Sequence, residues 1–171
     1  MKIRTGGPED AADILRLLDE AVAWLTSLGR TGQWGDQPWT SRPAAVERIH
    51  AYTREFLVRV AEDESGAVVG ACMLADEGSE HIAPAAEPEL YIRHLITDRS
   101  RSGSGIGAAL VADAVEETVR RGLGLLRVDC YAGGDQRLVG QYRRLGFTPT
   151  DTFEVPLSDR DWPGQILEIR V

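Results

Sequence analysis

The sequence predicts a single α/β domain over residues 1–171, and three observations carry that expectation. The largely apolar run Leu90–Thr97 leads through a glycine-rich loop into Ile106, Leu110, Val111, Ala114, Val115 and Thr118, which recur at helical spacing. A second apolar run, Leu125–Tyr131, follows that helix. Strand, helix and strand then form a right-handed crossover, so the two strands run parallel. Upstream, the runs 56–61 and 68–74 flank the turn-forming segment Glu62–Ala67, which is a hairpin signature.

The remaining elements follow in order. Lys2–Thr5 fits a short first strand ended by Gly6 and Gly7. Pro8, Glu9 and Asp10 open a helix with acid in its first turn, as the helix dipole favours. Ile14, Leu17, Leu18, Ala21, Val22 and Leu25 form its apolar stripe until Gly29 stops it. Residues 30–41 form a loop that holds Trp34 and Trp39, either as lids over a core edge or as walls of a ligand pocket. Pro43–Tyr52 reads as a second helix, whose His50 suits surface or packing. Residues 78–88 are a polar loop before the central strand. Gly122 ends the crossover helix, Asp135 is a candidate N-cap for a helix through Tyr142, and Gly146 closes that helix. Phe147–Val155 and Gln165–Val171 read as two closing strands. No repeat, low-complexity segment or linker marks a second domain.

Composition narrows the function classes. A 43% hydrophobic fraction over 171 residues supports one full core. A net charge of −8 argues against a nucleic-acid or anionic-membrane surface, each of which needs a basic face. Cys72 and Cys130 lie in separate apolar runs without metal-ligand spacing, so no metal is expected and both read as reduced core residues. The N-terminus carries no apolar signal segment and no run is long enough to span a bilayer, so the expectation is a cytoplasmic protein.

Ser102, Gly103, Ser104, Gly105, Ile106 and Gly107 carry the chemistry most open to reading. Glycines at a helix start permit positive φ and close backbone approach, and free N–H groups with the positive dipole end make an anion site. A bare turn is the plain alternative. No Gly-Lys-Ser/Thr follows, which excludes a Walker loop. Gly103–Ala108 does fit a dinucleotide-loop pattern with Asp129 downstream. However, a charged linker, Asp98–Ser102, separates strand from first glycine, and little chain remains to complete a doubly wound sheet.

Two motifs together resemble the GNAT-type N-acetyltransferases. One is Leu95, Ile96 and Thr97 followed by the Ser102–Gly107 loop; the other is Tyr142–Phe147, a tyrosine helix ending in Leu-Gly-Phe. The resemblance covers nearly the whole chain. It implies a mixed, mostly antiparallel sheet flanked by helices, with a splayed parallel strand pair at its centre, here 90–97 and 125–131. It implies acetyl-CoA as co-substrate, its pyrophosphate on the backbone N–H groups of Ser102–Gly107. Main-chain groups of Leu95, Ile96 and Thr97 would pair with the pantetheine arm as an added strand does. An amine of a small molecule would attack the thioester directly, without a covalent enzyme intermediate. Tyr142 would protonate the departing thiolate, a role suited to a phenol because its pKa lies near that of a thiol. Trp34, Trp39 and the Trp162 loop would wall the acceptor side, in a monomer or homodimer.

The departures from the family pattern matter. Ser102 stands where relatives have Arg or Gln, with Arg101 one place early, and Asp135 stands where many have Asn. Tyr91 stands where some carry a strand Glu. Glu89, two residues earlier on the same strand face, is then the nearest carboxylate that could take the proton from an ammonium substrate. His94 and Asp129 are further candidates, as is a route through water. Cys130 in an apolar strand has no evident means of thiolate activation. A domain that binds an acyl-CoA or nucleotide as a sensor, without turnover, is the alternative class.

Overall fold

The computed structural model describes residues 1–171. Seven strands and four α-helices make up the fold. They are β1 (Lys2–Thr5), α1 (Ala11–Ser27), α2 (Pro43–Glu55), β2 (Leu57–Glu62), β3 (Val68–Ala75), β4 (Leu90–Thr97), α3 (Ile106–Arg120), β5 (Leu125–Tyr131), α4 (Arg137–Arg144), β6 (Thr148–Pro156) and β7 (Asp161–Arg170). The strand order is β1-β2-β3-β4-β5-β7-β6. The β1/β2, β2/β3, β5/β7 and β6/β7 ladders are antiparallel and β4/β5 is parallel, so the sheet is mixed and mostly antiparallel, with helices on it. No helix is long and apolar enough to cross a membrane.

The chain resolves into two compact units, Met1–Leu74 with His94–Asp113, and Ala75–Arg93 with Ala114–Val171. In the first, the α1 stripe becomes one wall of a core: Ile14, Leu17 and Leu18 are fully buried beside Ile49 of α2, Val58 and Val60 of β2, and Ala71 and Met73 of β3. Each such valine, leucine, isoleucine or methionine side chain contributes about 1.5–3 kcal/mol on burial. Gly29, at φ +69°, ends the turn after α1 in the left-handed conformation that glycine adopts without strain. Pro43 starts α2, which continues to Glu55, past the Tyr52 end expected from the sequence, because nothing breaks it before the Phe56 N–H donates to the Tyr52 carbonyl.

A glycine in β3 sets how closely α3 lies on it. A Cβ on Gly70 would stand 2.7 Å from Ile106 Cγ2 and 3.1 Å from Leu110 Cδ1, at the start of the helix that follows the glycine-rich loop. Absence of a side chain there lets the helix start sit down on the strand. Beside it, Arg59 of β2 makes a two-point ion pair with Asp113 of α3, both contacts 2.8 Å.

In the second unit, β5 pairs with β7 over its whole length, from Leu125↔Arg170 to Tyr131↔Gly164. Ile82, Tyr91 and Ile166 form a small core with Phe153 packed against it, and Trp162 lies 5.5 Å from Tyr131, ring centre to ring centre. The cap of α4 differs from the sequence expectation. Gln136, at φ 55°, occupies the N-cap position rather than Asp135. The Asp135 carboxylate instead accepts the Arg137 N–H at 3.2 Å from one place earlier and pairs with the Arg137 guanidinium.

Gly70→Val should lower stability by about 1–3 kcal/mol, the usual cost of forcing extra carbon into a packed site. The urea midpoint of the variant measures it; a midpoint equal to the parent's would show that the α3 start yields without cost.

Candidate active site

The glycine-rich loop is shaped by short-range hydrogen bonds. The Asp98 carboxylate accepts the Ser100 N–H at 2.9 Å and its hydroxyl at 2.6 Å, which folds Arg99–Arg101 into a single 3₁₀ turn. The Ser104 N–H then donates to the Arg101 carbonyl at 3.1 Å. Gly103 and Gly105 both have φ +82°, so any other residue would strain the loop. Helix α3 begins directly after, and the N–H groups of its first turn have no intrahelical acceptor and carry the positive end of the dipole.

Charge around the loop is already organised. Arg101 pairs with Asp63 at 2.6 Å and with Asp98 at 3.3 Å. Hydrogen bonds from the Ser65 hydroxyl, then from backbone N–H groups and Arg101, draw the Asp63 carboxyl down to about 2. Arg99 points elsewhere, its guanidinium 4.0 Å from the ring centre of Trp24. A cavity of about 780 Å³ is lined by Asp63, Val69, Arg101, Ser102–Ser104 and Ile106, among others. The one side chain of suitable charge at this loop is therefore Arg101, and it is half committed to Asp63. Ser102 is exposed.

Upstream of the loop, Ile96 is buried in the first unit's core while Leu95 and Thr97 are half-buried. The parallel β4/β5 ladder consists of Leu90↔Leu126, Tyr91↔Arg127 and Ile92↔Val128. It ends there, although β4 continues to Thr97 and β5 to Tyr131.

Trp39 is 5% exposed and belongs to the first unit's core, with Trp34 edge-on at 5.7 Å and His94 at 5.6 Å. Trp39 thus packs as a lid. Its indole N–H is buried without an acceptor in the protein, a cost of about 1–3 kcal/mol. Trp34 is only half-buried.

The second unit gathers the other candidates. Tyr142 is 8% exposed on α4 and meets Phe147 edge-on at 5.7 Å; the Phe147 N–H donates to the Tyr142 carbonyl at 3.1 Å. Gly146, at φ +100°, makes the turn that brings these rings together, which accounts physically for the Leu-Gly-Phe signature. Glu89 is 6% exposed, and both its oxygens accept from Arg127, through Nε and through Nη2, the latter at 2.7 Å. Arg127 also donates to the Ala83 carbonyl at 3.1 Å. A carboxylate forked in this way has both oxygens engaged and is poorly placed to take a proton from a substrate.

Next along the same strands, the Tyr91 hydroxyl donates to Asp129 Oδ1 at 2.7 Å. Burial raises the Asp129 carboxyl above its ordinary range, against the hydrogen bond from Tyr91 and the charges of Arg93 and Arg127. Burial likewise pushes the Tyr91 phenol far up, with the Asp129 charge adding to it. Cys130 is pushed up to about 12 by burial, so it stays a thiol. The Arg127 fork was absent from the sequence reading. Its only sequence signal is an arginine inside an apolar strand.

The family model described as Acetyltransferase (GNAT) family matches residues 16–147. No curated protein matches the sequence. Among solved structures, ribosomal-protein-alanine N-acetyltransferase from Brucella melitensis is similar, with 22% identity, TM-score 0.66, and 100% of each chain covered. A phosphinothricin acetyltransferase of the GNAT superfamily from Sinorhizobium meliloti, in complex with acetyl-CoA, aligns at 19% identity and TM-score 0.69 over 99% of this chain and 88% of that one. The ribosomal-protein-S18-alanine N-acetyltransferase from Escherichia coli aligns at 14% identity and TM-score 0.69 over 99% and 93%.

The Glu89–Arg127 fork yields a stability prediction. Arg127→Met should cost about 3–5 kcal/mol because it strands a buried carboxylate. Adding Glu89→Gln should recover much of that loss. A double-mutant cycle by chemical denaturation reads both, and additive losses would mean that the two side chains act independently.

Proposed function

The chain belongs to the GNAT family of acetyltransferases, and on that premise we propose that it moves the acetyl group of acetyl-CoA to the primary amine of a small molecule. The reading takes residues 1–171 as one acetyltransferase domain, a cytoplasmic monomer or homodimer acting on neither nucleic acid nor membrane. The observation that carries it is the loop of Gly103 and Gly105, both at positive φ, running straight into the N–H groups of the α3 start, which have no intrahelical acceptor. That is a ready anion cradle, and a CoA pyrophosphate is the anion the family membership supplies.

Each expected residue then has a role. Within Ser102–Gly107 the N–H groups of Gly103, Gly105, Ile106 and Gly107 hold the pyrophosphate, because those of Ser102 and Ser104, expected to share in it, already donate to the Arg99 and Arg101 carbonyls. Leu95, Ile96 and Thr97 offer main-chain groups to the pantetheine arm. Asp135 fixes the start of α4, the helix that carries Tyr142. The amine nitrogen attacks the thioester carbon, the C–S bond breaks, and Tyr142 gives its phenolic proton to the thiolate. Trp34 and Trp39 border the acceptor, Trp39 from its packed position. The base on the acceptor side was expected to be Glu89, whose forked hold on Arg127 instead suits it to keep that region of the second unit rigid.

Tyr142→Phe keeps the ring that packs on Phe147 and removes only the hydroxyl. Turnover of acetyl-CoA with an accepted amine should fall about a hundredfold or more, in kcat rather than in the amine KM, while CoA affinity by calorimetry stays near the parent's. Gly105→Glu should abolish CoA binding in protein that still melts cooperatively. A Phe variant with full kcat would assign the acid elsewhere. A parent protein that binds CoA and acetylates no amine would make it a sensor.

A further inference from the structure

We propose that Asp129 is the catalytic residue that takes the proton from the acceptor ammonium, and that Tyr91 is a positioning residue that holds its carboxylate by the 2.7 Å hydrogen bond. The inference rests on the acetyl-transfer reading and deepens it.

The geometry separates two carboxylates on one stretch of sheet. Glu89, just before β4, and Asp129, in β5, both belong to the second unit; Glu89 takes its partner Arg127 from β5 and Asp129 its partner Tyr91 from β4. Glu89 has both oxygens bound by a guanidinium. Asp129 receives hydrogen bonds from a neutral phenol, through Oδ1, and from its own backbone N–H. The residue is half-buried rather than part of the fully buried core. A carboxylate that accepts from a phenol keeps its orientation without being neutralised, and it retains a lone pair for an incoming N–H.

The charged and titratable groups around Asp129 set the sign of its pH dependence. Tyr91 and Arg93 come from β4, with Glu89 just before that strand and tied to Arg127. Arg127 and Cys130 are on β5 itself, and across the β5/β7 ladder Asp129 faces Ile166, with Glu168 opposite Arg127. Burial raises the Asp129 carboxyl, while Tyr91, Arg93 and Arg127 oppose it. The net rise makes it a stronger base than an ordinary aspartate.

The proton balance closes. The acceptor ammonium loses one N–H proton to Asp129 and becomes an amine. Its lone pair attacks the acetyl carbon, the C–S bond breaks, and the thiolate takes the proton of Tyr142. The new amide nitrogen releases its surplus proton to water, and both side chains return to their starting states through water, with one proton released per turnover.

The test uses the full chain, acetyl-CoA and an amine that the parent turns over. Asp129→Asn should lower kcat/KM for the amine about a hundredfold or more and abolish the acid limb of its pH profile, leaving CoA affinity unchanged by calorimetry. Tyr91→Phe should retain that limb but move it to higher pH, because the lost hydrogen bond favoured the ionised form; loss of packing alone would not move it. Stability gives a second reading. A carboxyl raised in the folded state destabilises that state above its unfolded pKa and has no effect below it. Asp129→Asn should therefore be more stable than the parent at neutral pH, with the gain vanishing in acid. An Asn variant that keeps the parent's rate and acid limb overturns the assignment and leaves acetyl transfer standing. A parent that binds CoA but turns over no amine overturns acetyl transfer, and the assignment with it.

Discussion

The short parallel ladder of β4 and β5 is the constraint on which the rest depends. Two parallel strands cannot be joined by a hairpin, so a crossover helix must intervene, and α3 is that helix. Its start has to follow β4, which places a glycine-rich loop and a row of unshared N–H groups at the strand's C-terminal end. The ladder then stops after three pairs, while both strands run on. Main-chain groups beyond the last pair need partners of some kind. In the proposed acetyltransferase reading, the pantetheine arm is the partner for those of Leu95, Ile96 and Thr97.

The parts of this arrangement governed by local rules were legible in the sequence. Helical spacing located α1 and α3, and the turn segment at 62–67 located the β2/β3 hairpin, because burial of one face imposes a period on the residues. The crossover logic gave the parallel pair without any contact information. The α2 end and the α4 cap slipped by one to three residues, where no strong breaker stands and where Gln136 takes a left-handed conformation that its residue type does not announce.

What was not legible is the pairing of side chains between strands. Glu89 bonds Arg127, and Tyr91 bonds Asp129, each pair 38 residues apart. Tyr91 lies opposite Arg127 in the ladder but reaches Asp129, two places farther along; Glu89 makes the same two-residue step. Alternation correctly set Glu89 and Tyr91 on one face, yet the choice of Glu89 as base needed the register as well. Register between parallel strands is fixed by packing through the whole crossover unit, and no local pattern encodes it.

The same diagonal step explains why a tyrosine suits position 91. A carboxylate there would stand beside Asp129 and Glu89, with Arg127 already spent on Glu89 by its fork. Like charges so close cannot all ionise, and one would hold a proton at neutral pH. A phenol avoids this conflict: burial keeps it protonated, so it can only donate to Asp129. Tyr91 therefore does not replace a strand glutamate in kind. It transfers the place of the free carboxylate from β4 to β5, where Arg93 and Arg127 temper its charge and the phenol fixes its direction. The cost is a half-buried acid whose carboxyl is raised by burial, an environment in which a carboxylate is a better base than in water.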